Sequence, residues 1–545
     1  MWYSVRDHIS GSVPFYEIKG RQFRKGAVGL ARWLRRAAAA LVCACLCLTC
    51  ACSSDPDNSS SNASGVGQNG GAQGNAGGAS TPVMGYCAYD TLNPYTTVSK
   101  LNQELAMLLY DGLYALSPAF EPIERIAVAC STADNKTYTV TLRQGVYFTN
   151  GTEVTAPDVE ASFLAAKAST VSGWRSALTG VSSCKASADN PYLVTFTVST
   201  PVESLPELLT FPIFQAGSEL GTNQYNQANT PSGSGRYAIY HQNGEGWLFR
   251  NEEWAFGTVS LERIDLCNIP NDDALEYYMD QGRIDFYYTD LASALLPTYH
   301  GEYLSVDLTN IVFLVCNPET PLLDADMRRA LSLCIDRVKL SKDAYYSQAK
   351  PATGLYSPSD VRRSTSQTLA VNAQTEQMHE LMKKMGYEGR DKDGYYITAA
   401  GKRMSFSLLV SLDSTSRLQV AQQLSEQLAG CGIELLINSI PQEQYLSAVK
   451  DGAYDLYIGE IKLGRNFDLS TLVNVFSTGS GTQTYTAYRR VRSGLLDIPS
   501  FIDEAEEEMT VLPLVYRCGV LINNSPLKGL TPSCADPYYN IHTLG

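Results

Sequence analysis

A strand–helix–strand pattern in the second half of the chain constrains its fold more than any other feature. Residues 406–410 (FSLLV) and 433–437 (IELLI) are short apolar runs that are typical of strands. Between them, apolar side chains recur at helical spacing at Leu418, Ala421, Leu424 and Leu428. Two consecutive strands joined by a helix run parallel, because the helix carries the chain back to the edge of the sheet where the first strand began. We therefore predict an α/β fold.

The first half of the chain also mixes strands and helices. Residues 136–142 (KTYTVTL) alternate between polar and apolar side chains, as a half-buried strand does. A helix is predicted to begin after Thr155, because Thr is a favourable cap, Pro157 fits the first turn and Asp158 stabilises the positive end of the helix dipole. Residues 82–545 are too many for one ordinary core, so we expect two or three domains.

Residues 1–52 have the pattern of an export signal. A basic segment, residues 21–36, precedes an apolar run of about 14 residues, and the polar sequence SSDPD follows. The apolar run is shorter than a membrane span, which needs about 20 residues. Residues 1–20 fit neither a signal nor a folded domain, which indicates an over-long start.

Five cysteines in the sequence LVCACLCLTCACSSD suggest how this signal ends. The stretch resembles a bacterial lipoprotein signal, which is cut before a cysteine that carries diacylglycerol. We predict lipid attachment at Cys52, because Ala51 precedes it and Ser53 follows it. Cys45 is an alternative, because Thr49 stands where such signals prefer Leu. An ordinary cleaved signal that is rich in cysteine is the other alternative.

Residues 53–81 contain almost no side chain that could be buried. Burial therefore cannot offset the entropy cost of ordering this segment. Its Gly, Ser and Asn content predicts a disordered, flexible tether between the anchor and the folded body.

The chain that remains after the signal is strongly acidic. Residues 1–52 contain eight Lys or Arg and two acidic residues, which leaves 34 bases, 54 acids and a net charge of −20. No basic stripe is available to neutralise phosphates, so we do not expect a nucleic acid partner.

The sequence predicts neither a cofactor nor a metal site. Gly233 and Gly235 begin a dinucleotide-binding pattern, but residues 237–240 continue as a strand where that pattern needs a helix. The four His residues after the signal lack metal-ligand spacing, and residues 391–394 (DKDG) fit a turn better than a calcium loop. The nine cysteines after the signal are scattered and odd in number, which favours buried small side chains over a disulfide framework.

Six motifs in order along the chain resemble the extracellular solute-binding proteins of oligopeptide and dipeptide ABC importers (solute-binding protein family 5). The signature region is YTVTLRQGVYFTNGTEVTAPDVEASF at residues 138–163. The other motifs are LNPYTTVSKLNQELAMLLYDGLY at 92–114, PSGSGRYAI at 231–239, YMDQGRIDF at 278–286, DADMRRALSLCIDR at 324–337 and LPLVYRCGVLINNSPLKGLTPS at 512–533. The resemblance covers the chain from about residue 82 to the C-terminus.

This resemblance implies a two-lobed, class II periplasmic-binding-protein-like fold with the ligand enclosed between the lobes. The first lobe would comprise residues 82–313 and 513–545, with an extra subdomain at about 112–213. The second lobe would comprise residues 314–512.

The resemblance also places the ligand site. In the peptide binders of this family, a segment of the second lobe presents backbone groups and an Asp that pairs with the N-terminal ammonium of the peptide. The matching residues 454–468 (YDLYIGEIKLGRNFD) keep Gly459, but Glu460 replaces the family's Trp and Leu463 stands near its Asp. The next acid is Asp468, which we predict to receive the ammonium together with or instead of Glu460.

Three further residues are predicted near the ligand. Lys462 shares a face with Glu460 on an extended segment, and a solvated ion pair at a strand edge is the alternative reading of both. Trp174, in the subdomain, and Tyr89, beside the first strand, are predicted aromatic walls by position alone.

We therefore expect an exported, lipid-anchored binding protein on the outer face of the cell membrane. It would act as a monomer, capture oligopeptides and deliver them to an ABC-importer permease, without being an enzyme. A binder of another small solute, such as an oligosaccharide, is the alternative within the family. A surface hydrolase is the alternative from another class, although neither a Gly-x-Ser-x-Gly nor a His-Glu-x-x-His motif occurs in the sequence.

Overall fold

The computed structural model describes residues 81–171, 173–222, 227–290, 300–474 and 482–544. All of them belong to one structural unit, residues 77–545. The predicted export signal, with Cys45 and Cys52, and the predicted tether up to residue 80 lie outside the described residues. Within the described ranges, every helix is too short or too polar to cross a membrane.

The strands of the described residues are numbered β1 to β17 in chain order. They are β1 Val83–Tyr86, β2 Tyr114–Leu116, β3 Pro122–Glu124, β4 Ala127–Thr132, β5 Thr137–Leu142, β6 Val181–Ala186, β7 Leu193–Val198, β8 Tyr237–Gln242, β9 Glu245–Arg250, β10 Arg263–Asn268, β11 Phe286–Thr289, β12 Glu302–Cys316, β13 Ala349–Pro351, β14 Ser405–Ser411, β15 Glu434–Ile440, β16 Leu456–Lys462 and β17 Val511–Asn523.

The helices are numbered in the same way. They are α1 Lys100–Leu109, α2 Ala156–Ala168, α3 Trp174–Ala177, α4 Leu275–Asp280, α5 Ala325–Cys334, α6 Arg337–Tyr345, α7 Val361–Ser364, α8 Thr375–Lys384, α9 Thr415–Cys431, α10 Gln442–Lys450, α11 Ser470–Val473, α12 Gln483–Arg492 and α13 Ile498–Glu508. Short 3₁₀ turns lie at Pro206–Leu208, Asp272–Ala274 and Ile541–Thr543.

The largest sheet contains the strand–helix–strand unit that the sequence predicts. Its strand order is β11-β17-β12-β16-β14-β15, and β13 pairs with β17. Strands β14 and β15 are parallel, with Phe406 opposite Leu435, and α9 connects them. The helix ends where Gly432 adopts a φ of 89°, a conformation that glycine takes at little cost. The α/β fold class is confirmed.

A separate antiparallel sheet lies inside the interval predicted for the extra subdomain. Its order is β4-β5-β7-β6, and α2 packs against it. The predicted start of α2 is correct: the backbone N–H of Thr155 donates to Asp158 Oδ2 at 2.8 Å, and the Thr155 side chain completes the capping box.

A third sheet, with the order β1-β10-β9-β8, contains the predicted strand after the glycine pair. Residues 237–240 lie in β8, so no helix follows Gly233 and Gly235 as a dinucleotide site would need. These glycines allow close packing instead. The Gly235 N–H donates to the Leu109 carbonyl at 3.0 Å, and a Cβ on Gly235 would lie 2.3 Å from the Leu109 carbonyl carbon.

Two long antiparallel strands, β12 and β17, run through the middle of the structure. They are the two longest strands of the described residues, with 15 residues in β12 and 13 in β17. Every residue of β17 is buried. Pairing runs from Glu302 opposite Asn523 to Asp307 opposite Cys518, is interrupted, and resumes with Ile311 opposite Tyr516. The interruption leaves residues 308–310 free of the β17 ladder.

Buried apolar side chains form separate clusters on either side of this interruption. The largest cluster draws on residues 84–306 and 521–541. Two others draw on residues 311–516, with Phe120 as the one member from outside that range. The chain thus passes from one apolar cluster to the others near the predicted lobe boundaries. The boundaries themselves stay a prediction.

Candidate functional site

A cavity of about 560 Å³ lies beside the interruption between β12 and β17. Its lining residues come from distant parts of the chain: Pro94, Gln103, Ala106, Met107, Gly173, Trp174, Ser176, Ala177, Tyr288, Asp290, Leu308, Thr309, Lys462, Leu463, Gly464, Arg465 and Cys534. The wall therefore joins α1, the short helix α3, the end of β11 and the segment after β16. This volume is within the usual range of small-molecule sites, about 300–1,000 Å³.

The ladder between β12 and β16 holds one wall of the cavity. Thr309 lies directly beyond the last pair of this ladder, Asn310 opposite Lys462, and therefore contacts the segment that follows β16. The Thr309 hydroxyl donates to the Leu463 carbonyl at 2.8 Å, and the Leu463 N–H donates to the Thr309 carbonyl at 3.1 Å. These two hydrogen bonds fix the position of residues 463–465 next to the part of β12 that does not pair with β17.

Arg465 projects from this segment across the cavity wall. Its guanidinium carbon lies 4.7 Å from the centre of the Trp174 ring, and it donates a hydrogen bond to Thr210 Oγ1. Stacking of guanidinium on an indole is favourable when water is excluded. No carboxylate of the described residues forms an ion pair with Arg465, and burial lowers the pKa of its guanidinium.

Asp290 provides an acidic group on another part of the wall. It directly follows β11, and its backbone carbonyl accepts a hydrogen bond from Arg517 at 2.9 Å. Gly519 makes room for this turn, because a Cβ there would lie 2.8 Å from the Thr289 carbonyl. The Asp290 carboxylate forms no ion pair with another group in the described part of the chain.

Glu460, a predicted ligand residue, is engaged elsewhere. It lies on β16 and accepts hydrogen bonds from Arg517 at 2.7 Å and from Asn310 at 3.1 Å. It is not among the lining residues of the cavity. This ion pair differs from the alternative reading, because its partner is Arg517 and it is largely buried on an interior strand of the sheet. The neighbouring Gly459 serves strand packing, because a Cβ there would lie 2.6 Å from the Phe313 ring.

The other predicted site residues divide between the cavity and the surface. Trp174 and Lys462 line the cavity, and the Lys462 side chain is exposed at its rim. Asp468 does not line the cavity; its carboxylate accepts the Ser470 N–H at 2.8 Å at the start of α11. Tyr89 is 63% exposed and also lies outside the cavity lining.

The sequence analysis did not predict four lining residues whose side chains are polar or ionisable. They are Tyr288, Asp290, Arg465 and Cys534. Arg465 lies inside the matched segment 454–468, and its charge was the available signal. The others carried no local signal, because only the tertiary fold brings them to the cavity.

The family model for bacterial extracellular solute-binding proteins, family 5 Middle, matches residues 121–484. The chain belongs to this family. The predicted family is thus confirmed, and the match covers both the signature region and the segment that carries Arg465.

Three proteins to which this chain is similar share a quarter or less of its sequence. The glutathione-binding protein GsiB of Salmonella paratyphi A is 24% identical over 382 residues, which cover 66% of this chain and 70% of GsiB. Among solved structures, the nickel ABC transporter protein from Bacillus halodurans has a TM-score of 0.68 at 18% identity, covering 85% of this chain and 99% of its own. The unliganded open form of MppA, a periplasmic murein tripeptide binding protein, has a TM-score of 0.64 at 18% identity, covering 84% and 98%. The structural likeness confirms the predicted two-lobed α/β fold.

One cluster of acidic groups in this family-5 protein is paired with an arginine outside the cavity lining. In the turn at residues 391–394, Arg403 binds Asp391 at 2.7 Å and Asp393 at 2.5 Å, and it also binds Glu434 at 2.8 Å. The described residues contain no group of His, Cys, Asp and Glu arranged to hold a metal ion. The nine cysteines of the described residues are free thiols, and most of them are buried.

Glu104 is an acidic group that lies next to the cavity without adding charge to it. It follows the lining residue Gln103 on α1 and accepts a hydrogen bond from the Tyr538 hydroxyl at 2.8 Å. Burial is the main cause that raises the pKa of the Glu104 carboxyl from 4.5 to about 8, and the charges of nearby Asp272 and Asp290 contribute to this rise. Glu104 is therefore mostly protonated at neutral pH.

We predict that the free energy of unfolding of the natural protein falls as the pH rises from about 4.5 to about 8, because Glu104 loses its proton in this range. In Glu104→Gln this fall should be absent. An acid with a raised folded-state pKa stabilises fully below its ordinary pKa, and this contribution disappears as pH rises through the folded-state value. The free energy of unfolding of the variant should equal that of the natural protein at pH 4.5. At pH 8.5 it should be larger by an amount on the order of a few kcal/mol. Denaturant unfolding across this range measures the difference.

The matched control for this experiment is Glu252→Gln, which neutralises a surface carboxylate that lies 3.3 Å from Arg250. It should leave the pH profile nearly unchanged. Parallel profiles for Glu104→Gln and the natural protein would show that Glu104 is ionised in the folded state.

Proposed function

We propose that this protein is the solute-capturing component of an ABC importer and that it binds short peptides in the cavity beside the interrupted strands. The observation that supports this proposal is a partly open cavity at the junction of the apolar cores, lined by an acid, two bases and two aromatic rings. The protein acts as a monomer, delivers its ligand to a membrane permease and performs no chemistry on it.

The size of the cavity favours short peptides. A compact space of about 560 Å³ is roughly 10 Å across, which corresponds to about three residues of extended chain at ~3.4 Å per residue. Longer peptides would have to extend out of the cavity past the exposed Lys462.

Asp290 is better placed than Glu460 or Asp468 to receive the ammonium of a peptide. Glu460 is already paired with Arg517, and Asp468 accepts the Ser470 N–H at the start of α11. A ligand ammonium at either position would compete with an existing interaction, whereas Asp290 is an exposed lining residue of the cavity and forms no ion pair within the described residues. A charged group that leaves water needs an opposite charge in the site. Trp174 and Tyr288 would pack against the peptide backbone and side chains.

Contacts between the two predicted lobes are consistent with a closed form of the protein. Arg492 donates to the Pro201 carbonyl at 2.7 Å, and Arg363 donates to Glu203 at 2.7 Å. Opening of the lobes would separate these pairs and admit the ligand. The interruption in the β12–β17 pairing is the proposed hinge, because residues 308–310 do not pair with β17.

We predict that a pool of tripeptides raises the melting temperature of the protein, while maltotriose, nickel and nucleotides do not. Ligand stabilises a binder by about 2.7 kcal/mol at a hundredfold excess over Kd. Trp174→Ala should reduce the shift strongly, and Trp247→Ala should retain it, because Trp247 stacks on Tyr240 away from the cavity lining. Scanning calorimetry measures each shift.

Mass spectrometry of the peptides released on denaturation separates a binder from a hydrolase. Intact peptides are expected. Shortened peptides would replace this proposal by the hydrolase, and a shift caused only by an oligosaccharide would replace it by a sugar binder.

Attachment to the membrane through a lipid on Cys52 completes the proposal. Cys52→Ala should move the protein out of the membrane fraction, because the modified thiol is lost. Cys45→Ala is the matched control and should leave the protein in the membrane fraction. The reverse pattern on immunoblots of fractionated cells would assign the lipid to Cys45.

A further inference from the structure

The charges that line the cavity do not balance. Arg465 and Lys462 contribute two positive charges, and Asp290 contributes one negative charge. The nearby acids do not correct the difference: Glu460 is paired with Arg517 at 2.7 Å, and Asp307 is paired with Lys350 at 2.7 Å.

Two further groups near the cavity stay neutral at physiological pH. Burial raises the pKa of the Glu104 carboxyl to about 8 and that of the Cys534 thiol to about 12. Neither group can therefore serve as the counter-ion of Arg465. Among the described residues, the cavity lining therefore has an excess of one positive charge.

Arg465 is the deeper of the two cations. Its hydrogen bond to Thr210 and its stacking on Trp174 use one edge and one face of the guanidinium. Its other N–H groups have no recorded acceptor among the described residues. A guanidinium offers five N–H donors in a fork that matches a carboxylate, so the free edge is suited to an anion.

Closure of the cavity makes this charge costly. Thr210 and Trp174 precede β12, and Arg465 follows β16, so Arg465 loses water when these two sides meet. A buried charge without a partner costs far more than one in an ion pair. A bound anion would remove that cost at the moment of closure.

We propose that the solute of this protein carries a net negative charge and presents an anionic group, a carboxylate, to Arg465. This inference rests on the proposed function, because it takes the cavity as the peptide site. A zwitterionic peptide leaves the excess positive charge in place, whereas a peptide with one additional carboxylate balances it. The protein is therefore selective for acidic short peptides over neutral ones of the same shape.

The test compares Ala-Glu-Ala with Ala-Gln-Ala by isothermal titration calorimetry, because the two peptides differ in charge and hardly in shape. The natural protein should bind Ala-Glu-Ala at least tenfold more tightly. In Arg465→Met, which keeps an apolar side chain against Trp174, the ratio should fall to within about twofold. Equal binding of both peptides to the natural protein would overturn the inference.

Three controls make the result specific. Arg465→Lys keeps the charge and should retain a preference for Ala-Glu-Ala, which tests the inference even if the Met variant does not fold. Lys462→Met removes the exposed rim charge and should lower the ratio less than Arg465→Met does, because a rim charge is screened by water. Arg490→Met removes an exposed arginine that lies 3.1 Å from Glu504, outside the cavity lining, and should leave the ratio unchanged.

The outcomes also separate this inference from the proposed function. Tight binding of both peptides with a ratio near one would retain the peptide function and overturn the charge preference. Binding of neither peptide would overturn the peptide function and this inference with it. An unchanged ratio in Arg465→Met would show that another group recognises the acid.

Discussion

The antiparallel pairing of β12 with β17 is the constraint on which the rest of the structure depends. Both strands run from one apolar core into the other, so their hydrogen-bonded register fixes how the two halves of the chain face each other. Burial of every residue in β17 makes this register strongly specified, because a shift by one residue would move each side chain to the opposite face. The interruption at residues 308–310 is therefore a defined feature of the pairing.

The pairing of β12 with β16 positions the site beside that interruption. Thr309 extends this pairing, holds Leu463 by two hydrogen bonds and so positions Arg465 over Trp174. Strand β17 carries Arg517, which binds both Glu460 and the backbone of Asp290. The register of β12 with its neighbours β16 and β17 thus brings Glu460 and Arg517 together and leaves Arg465 at the cavity. The function proposed for the protein rests on the charges that remain free.

Local patterns predicted the fold class and several elements correctly. Apolar residues at helical spacing predicted α9, and Thr155 with Asp158 predicted the start of α2, because both signals lie within a few residues of the structure they specify. Six ordered motifs predicted the family, which the match over residues 121–484 confirms.

The cavity could not be predicted in the same way. Glu460 seemed available in the sequence, yet its partner Arg517 is 57 residues away, and only the sheet register brings the two together. Asp468 seemed available as well, but its carboxylate accepts the Ser470 N–H at the start of a short helix that was not predicted from the sequence. Asp290 and Cys534 reach the cavity through long-range packing, which leaves no periodicity or spacing to detect.

The position of a bound ligand tests this account most directly. A crystal structure of the protein with Ala-Glu-Ala should show the peptide in the cavity beside residues 308–309. The account predicts a peptide carboxylate at about 2.7–2.9 Å from the Arg465 guanidinium and the ammonium directed towards Asp290. A peptide bound outside this cavity, or one whose ammonium lies against Arg465, would contradict it.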